Sequence, residues 1–130
     1  MNATYFFSKL DEAVEAKKEL QQLSEAHKIQ QFQEAKVFAC KLQQTLAPYL
    51  KGFAQRGFSC NEKATNLPFY SLEIQQAHNC VTLGICAYNQ GYRFFAYCNN
   101  VEKRLPIRIG QIYNEDEVQE QLQTLFSIFL

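Results

Sequence analysis

"HNCVTLGICAYNQGYRFFAYCNN" (residues 78–100) is the stretch on which the reading of this chain turns. It contains three of the five cysteines and one of the two histidines, so it reads either as a metal or redox site or as the middle of a sheet. Two runs in it, Cys80–Tyr88 and Tyr92–Asn99, are rich in β-branched and aromatic residues, which suit a half-buried pleated surface. Between them Asn89-Gln90-Gly91 reads as a three-residue hairpin loop, with Gly91 in the left-handed position. Working outward, Phe69–Gln75 precedes a turn at Ala77-His78, and Arg104–Ile112 follows a turn at Asn99–Lys103. No helix-length segment separates these four runs, so they predict an antiparallel meander.

The loops imply a register. A three-residue loop sets Tyr88 opposite Tyr92, Ile85 opposite Phe95 and Leu83 opposite Tyr97. The flanking turns put Ile74 beside Val81, Leu72 beside Leu83 and Phe95 beside Ile107. One face then gathers Tyr70, Leu72, Ile74, Val81, Leu83, Ile85, Phe95, Tyr97, Leu105, Ile107 and Ile109. On the other face Ser71, Gly84, Ala96 and Pro106 form a layer of small residues, flanked by layers containing Glu73, Cys98 and Arg104, and Phe69, Cys86, Phe94 and Arg108. Small residues allow another backbone to approach closely. This trough, with Glu73, Gly84, Cys86, Phe94, Ala96, Arg104 and Arg108, is the expected partner- or ligand-binding surface, unless a helix of the same chain fills it.

N-terminal to the sheet, residues 3–47 contain neither Gly nor Pro and are rich in helix formers. Ser8-Lys9-Leu10-Asp11 fits a capping box. One apolar stripe runs Leu10, Ala13, Val14, Leu20, Leu23, with Lys17 interrupting it. A second runs Phe32, Ala35, Ala39, Leu42, Leu46, Tyr49, Phe53, and the phase slips between the two near Ala26–Gln30. An unbroken helix from Ser8 to Leu46 would be about 58 Å long at ~1.5 Å per residue, against a radius of gyration of about 14 Å for a chain of this size. The segment is therefore either a long helix that pairs with another chain or a helical hairpin, and the phase slip favours a break near His27. Pro48 is expected to begin a further short turn that Gly57 closes, with 61–68 as a loop. After the sheet, Asn114 followed by Glu115, Asp116 and Glu117 predicts a helix start. Tyr113 and Val118 fit a hydrophobic staple, and Val118, Leu122, Leu125, Phe126 and Phe129 form its apolar face.

The 130 residues are expected to form one α+β domain: an N-terminal helical segment, a four-stranded antiparallel meander and a C-terminal helix. Thirteen basic and thirteen acidic residues cancel, which argues against a duplex-DNA binder. No run is long and apolar enough to span a membrane, and the start lacks the pattern of a signal peptide, so the expected location is cytoplasmic. An odd number of cysteines without a C-x-x-C pair points to reduced thiols. A zinc site from His78, Cys80 and Cys98 lacks a fourth ligand, and no cofactor or metal is expected. Neither His27 nor His78 sits near a nucleophile in any recognised spacing, and no phosphate loop or nucleophile elbow occurs, so no catalytic residues are assigned and the balance is against an enzyme.

Residues 90–97, "QGYRFFAY", partly resemble the aromatic octamer of RNA-recognition motifs through Gly91, Tyr92, Phe94 and Tyr97. Gln90, Arg93 and Phe95 depart from it, and the meander lacks that family's intervening helices. The octamer therefore stands as coincidence, with Tyr88, Tyr92 and Phe94 left as a possible base-stacking set. The leading expectation is a non-enzymatic protein-interaction module. By analogy of size and architecture alone, it is like small bacterial immunity, inhibitor, adaptor or chaperone proteins, and it would use the trough or a helical stripe to bind a protein partner or form a homodimer. The alternatives are a small-ligand or peptide sensor binding over the sheet, and a single-stranded nucleic-acid binder.

Overall fold

The computed structural model describes residues 3–130, without the side chains of residues 20, 21 and 23. The element order is α1 (Ala3–Gln55), β1 (Ser59–Lys63), β2 (Ser71–Gln76), β3 (Asn79–Tyr88), β4 (Gly91–Cys98), β5 (Val101–Glu102), α2 (Glu115–Phe126) and a short 3₁₀ turn at Ser127–Phe129. The fold is α+β, with an antiparallel meander in the order β1-β2-β3-β4-β5. Two units separate between Gln30 and Gln31.

In the first unit, residues 3–30 are helical and every described side chain is exposed. Residues 26–30 are helical too, so the expected break near His27 is absent. Ser8 lies inside α1, not at its cap. Of the first stripe, the side chains of Leu20 and Leu23 lie outside the described residues. The phase slip read from the sequence marks the unit boundary instead. Beyond it α1 has a packed face: Ala35, Phe38, Ala39, Leu42 and Leu46 are buried.

In the second unit this face of α1 and the α2 residues Val118, Leu122, Leu125 and Phe126 cover one side of the sheet. The sheet supplies Leu72, Ile74, Val81, Leu83, Ile85, Ala96 and Cys98 to the same core. Pro48 sits within α1. The carbonyl it leaves without an N–H partner belongs to Gln44, which is exposed to water, so the helix continues through it. α1 ends in a Schellman motif: Gly57 adopts φ +81°, Phe58 N–H donates to the Phe53 carbonyl at 3.0 Å and Gly57 N–H to the Ala54 carbonyl at 3.1 Å. The hydrophobic contact that accompanies the motif is Phe53 stacked on Phe58, with ring centroids 5.0 Å apart. Phe126 and Phe129 pack edge-on against Phe53, tying the end of α1 to α2.

The start of α2 is as the sequence indicates. Asn114 Oδ1 accepts from the Glu117 N–H at 3.2 Å, and Glu115, Asp116 and Glu117 fill the first turn. Tyr113 shares a 2.6 Å hydrogen bond with Thr45 Oγ1 and packs on Phe38, which pins the approach to α2 against α1.

The sheet has five strands, not four, and differs from expectation in its membership. β1 forms from Ser59–Lys63, part of it read as loop, and residues 104–112 form no strand. The β2–β3 register is the expected one, with Leu72 opposite Leu83 and Ile74 opposite Val81. The β3–β4 register is shifted by one: Tyr88 faces Gly91, Ile85 faces Phe94 and Leu83 faces Ala96. The cause is the turn. Asn89 and Gln90 both have positive φ, 45° and 62°, which makes a two-residue type I′ loop whose twist matches the strands, and Gly91 belongs to β4. Asn99 and Asn100 (φ 51° and 67°) repeat the device between β4 and β5.

Candidate functional site

A one-residue slip reverses every side chain of a strand. Phe94, Ala96 and Cys98 therefore face the helices, while Arg93, Phe95 and Tyr97 face outward with Glu73, Thr82, Gly84, Cys86, Tyr88 and Glu102. Among the described residues α1 and α2 pack only on the inner face, and the outer face carries no second layer.

The small-residue trough is not formed. Gly84 stands opposite Phe95, and Ala96 stands opposite Leu83 inside the core. The Phe95 ring lies over Gly84: a Cβ built on Gly84 would come 3.0 Å from Phe95 Cζ and from Ser71 Cα, and would meet the Tyr70 carbonyl oxygen. The seven residues assigned to the trough disperse. Glu73 is exposed on the outer face, and Cys86 is half-buried opposite Arg93. Phe94 and Ala96 belong to the inner face. Arg108 is exposed and borders a separate small depression beside Pro106. Arg104 is exposed and lines a cleft with Phe95. Tyr88, Tyr92 and Phe94 do not share a face either, because Tyr92 and Phe94 pack against the core.

The cysteines and histidines also separate. Cys80 is half-buried on the outer face, and Cys98 is buried with its thiol directed at the Leu125 carbonyl at 3.6 Å. Burial pushes the Cys98 thiol up, partly opposed by the Lys103 charge. His27 and His78 are both exposed. Among the described residues no three His, Cys, Asp or Glu side chains converge as metal ligands. Burial, reinforced by Glu62, raises the Tyr70 phenol, which donates to Glu62 Oε2 at 2.7 Å and fastens β1 across the sheet edge.

What the outer face does bring together is a cleft of about 260 Å³, in which Tyr88, Arg93, Phe95, Glu102, Lys103 and Arg104 take part. Lys103 N–H donates to the Ala96 carbonyl at 2.8 Å, so the chain continues alongside β4 beyond β5 and strand alternation places Arg104 beside Phe95. The Arg93 guanidinium sits 4.6 Å from the Tyr88 ring centroid, and its Nη2 is 3.6 Å from Glu102 Oε1. The Cys86 sulfur beside it favours its charged form. Arg93 Nε is buried without a hydrogen-bond partner. Of these residues the sequence reading singled out Arg104, as a partner- or ligand-binding residue, and Tyr88, as a member of the possible base-stacking set. The signal for Arg93 was its parity with Phe95 along one strand.

A second surface lies on residues 3–30. Phe6, Phe7, Leu10 and Val14 are 55%, 56%, 45% and 43% exposed and follow one face of the helix. No described helix is long and apolar enough to cross a membrane.

No protein-family model matches this sequence, and comparison with curated proteins and with solved structures gives no significant match.

Proposed function

We propose that the chain is a non-enzymatic protein-interaction module whose helical segment 3–30 docks through its apolar stripe into a groove on a different protein. The observation that supports this is the exposure of Phe6, Phe7, Leu10 and Val14 on a helical segment with no buried side chain among those described. Helices in proteins gain most of their stability by packing an apolar face. Phe7, Leu10 and Val14 have the i, i+3, i+7 spacing of helix-in-groove anchors. Self-pairing as a coiled coil needs the seam sustained over three to four heptads. Here the seam from Phe6 to Val14 spans little more than one heptad before Lys17 interrupts it, so a groove that supplies its own apolar walls is the better match.

The test is site-specific photo-crosslinking of the full chain in its host, with the reactive group at Phe7 and, as a control, at Glu25. A single heterologous adduct from position 7, lost on Leu10→Glu with the fold intact by circular dichroism, supports the reading. An adduct of twice the chain mass replaces it with self-association. Adducts of equal pattern from both positions, or none, overturn it.

A further inference from the structure

The outer-face cleft is a separate surface from the helical stripe, and its chemistry is different. Arg93 and Arg104 meet a single carboxylate there, Glu102, although the chain as a whole carries no net charge. The surplus of one positive charge is local, and the Phe95 ring beside it forms a low-dielectric wall that concentrates its field. Neither Lys103 nor Arg104 has an ion-pair partner among the described residues. Arg93 is held in place by the Tyr88 ring and the Cys86 sulfur, while its ion pair with Glu102, at 3.6 Å between side chains 40% and 39% exposed, is long and solvated. The arrangement gives a positioned guanidinium that spends none of its donors on a short bond.

We propose that this cleft binds a small phosphate monoester with a planar body, of nucleoside-monophosphate size, its phosphate taken by Arg93 and Arg104 and its ring flanked by Tyr88 and Phe95. The local positive charge favours an anion, and a pair of guanidinium groups matches phosphate geometry. The volume, about 260 Å³, lies just below the ~300–1,000 Å³ of drug-sized ligand sites, which limits the occupant to a phosphate and one ring system. A longer nucleic-acid strand needs a track of cations with stacking rings, and the outer face carries Glu73 on β2 and Glu102 at the cleft itself instead. An extended acidic peptide needs a free strand edge, and the edge of β4 is occupied by β5 and Lys103.

The experiment is an amide-resolved NMR titration of the full chain at low salt with inorganic phosphate, adenosine 5′-monophosphate, adenosine and a single-stranded dodecanucleotide. The nucleotide is expected to bind with saturable shifts confined to residues 88, 93–95 and 102–105, phosphate alone about tenfold more weakly, and adenosine without saturation. Arg104→Gln, an exposed position that leaves the fold in place, should weaken the nucleotide about tenfold, the cost of one charge-assisted contact. Phe95→Leu should weaken the nucleotide but leave phosphate binding unchanged. The proposal is overturned by shifts scattered outside the cleft, by adenosine binding as well as its monophosphate, by an unchanged affinity in Arg104→Gln, or by a dodecanucleotide that binds more tightly over a wider footprint.

Discussion

Replacing Gly84 by alanine adds one methyl group where the sheet leaves no space for it. The new Cβ collides with the Tyr70 carbonyl oxygen and stands 3.0 Å from Ser71 Cα and from Phe95 Cζ. Two of these three atoms are backbone, so rotating a side chain does not relieve the clash. Overpacking of this kind costs about 1–3 kcal/mol, and the upper part of the range applies because a strand must move. That movement also strains the 2.9 Å hydrogen bond from Ile85 N–H to the Tyr70 carbonyl, worth about 1 kcal/mol. The alanine stiffens the unfolded chain, which offsets roughly 0.5–1 kcal/mol. The net expectation is a loss of about 3 kcal/mol, which at a typical urea slope of 1–3 kcal/mol/M lowers the unfolding midpoint by about 1–3 M. Urea unfolding followed by far-UV circular dichroism measures it. Gly52→Ala is the matched control: its nearest neighbour is a side-chain atom, Arg56 Nη1 at 3.5 Å, and in the helix interior it should gain about 0.5–1 kcal/mol. The double variant Gly84→Ala/Phe95→Ala should not recover the loss, because the closest atoms remain. A Gly84→Ala protein within 0.5 kcal/mol of the wild type would refute the packing argument, and recovery in the double variant would assign the clash to the ring.

Two further outcomes follow from single contacts. Tyr70 is held above its ordinary value of about 10 by burial and by Glu62, so its stabilising contribution is complete below pH ~10 and declines as pH rises beyond it, where the unfolded chain gives up the proton first. The urea midpoint should fall from pH 9 to pH 11, less steeply in Tyr70→Phe; equal slopes would remove Tyr70 from the account. Asn114→Ala, which leaves the Glu117 N–H without its cap acceptor, should cost about 1 kcal/mol by thermal or urea unfolding, with Asn114→Asp close to neutral.

Elements with a local signature were legible in the sequence, and pairings that depend on φ at one or two loop residues were not. The α2 cap, its acidic first turn and its apolar face were written within a few adjacent residues. So was the inner face of α1 from Ala35 to Leu46. β1 carries Ser59, Asn61, Glu62 and Lys63, a composition that propensity assigns to loops, and its place in the sheet comes from pairing with β2. Residues 104–112 alternate like a strand but end as irregular chain that sends only Ile107 fully into the core. The candidate surface failed with the hairpin, because Asn89 and Gln90 take up the left-handed region together and Gly91, the residue best suited to it, does not.

The deciding residue in that hairpin was Arg93. In a three-residue loop register Phe95 and Tyr97 point at the helices, and Arg93, two positions earlier on the same strand, points with them. A guanidinium beneath α1 and α2 would need a buried partner, and none of the inner-face residues is acidic except Glu62 at the far edge. Shifting by one residue exchanges Arg93, Phe95 and Tyr97 for Tyr92, Phe94, Ala96 and Cys98, a set without charge whose smallest member sits at the centre, where the helices pack. Both sets hold two aromatic rings, so the cost of burying the Arg93 charge decides between them. Phe95, left outside, then becomes a wall of the cleft that the arginine helps to line. The hydrophobic pattern alone does not separate the two registers, and the charge within it selects the right one.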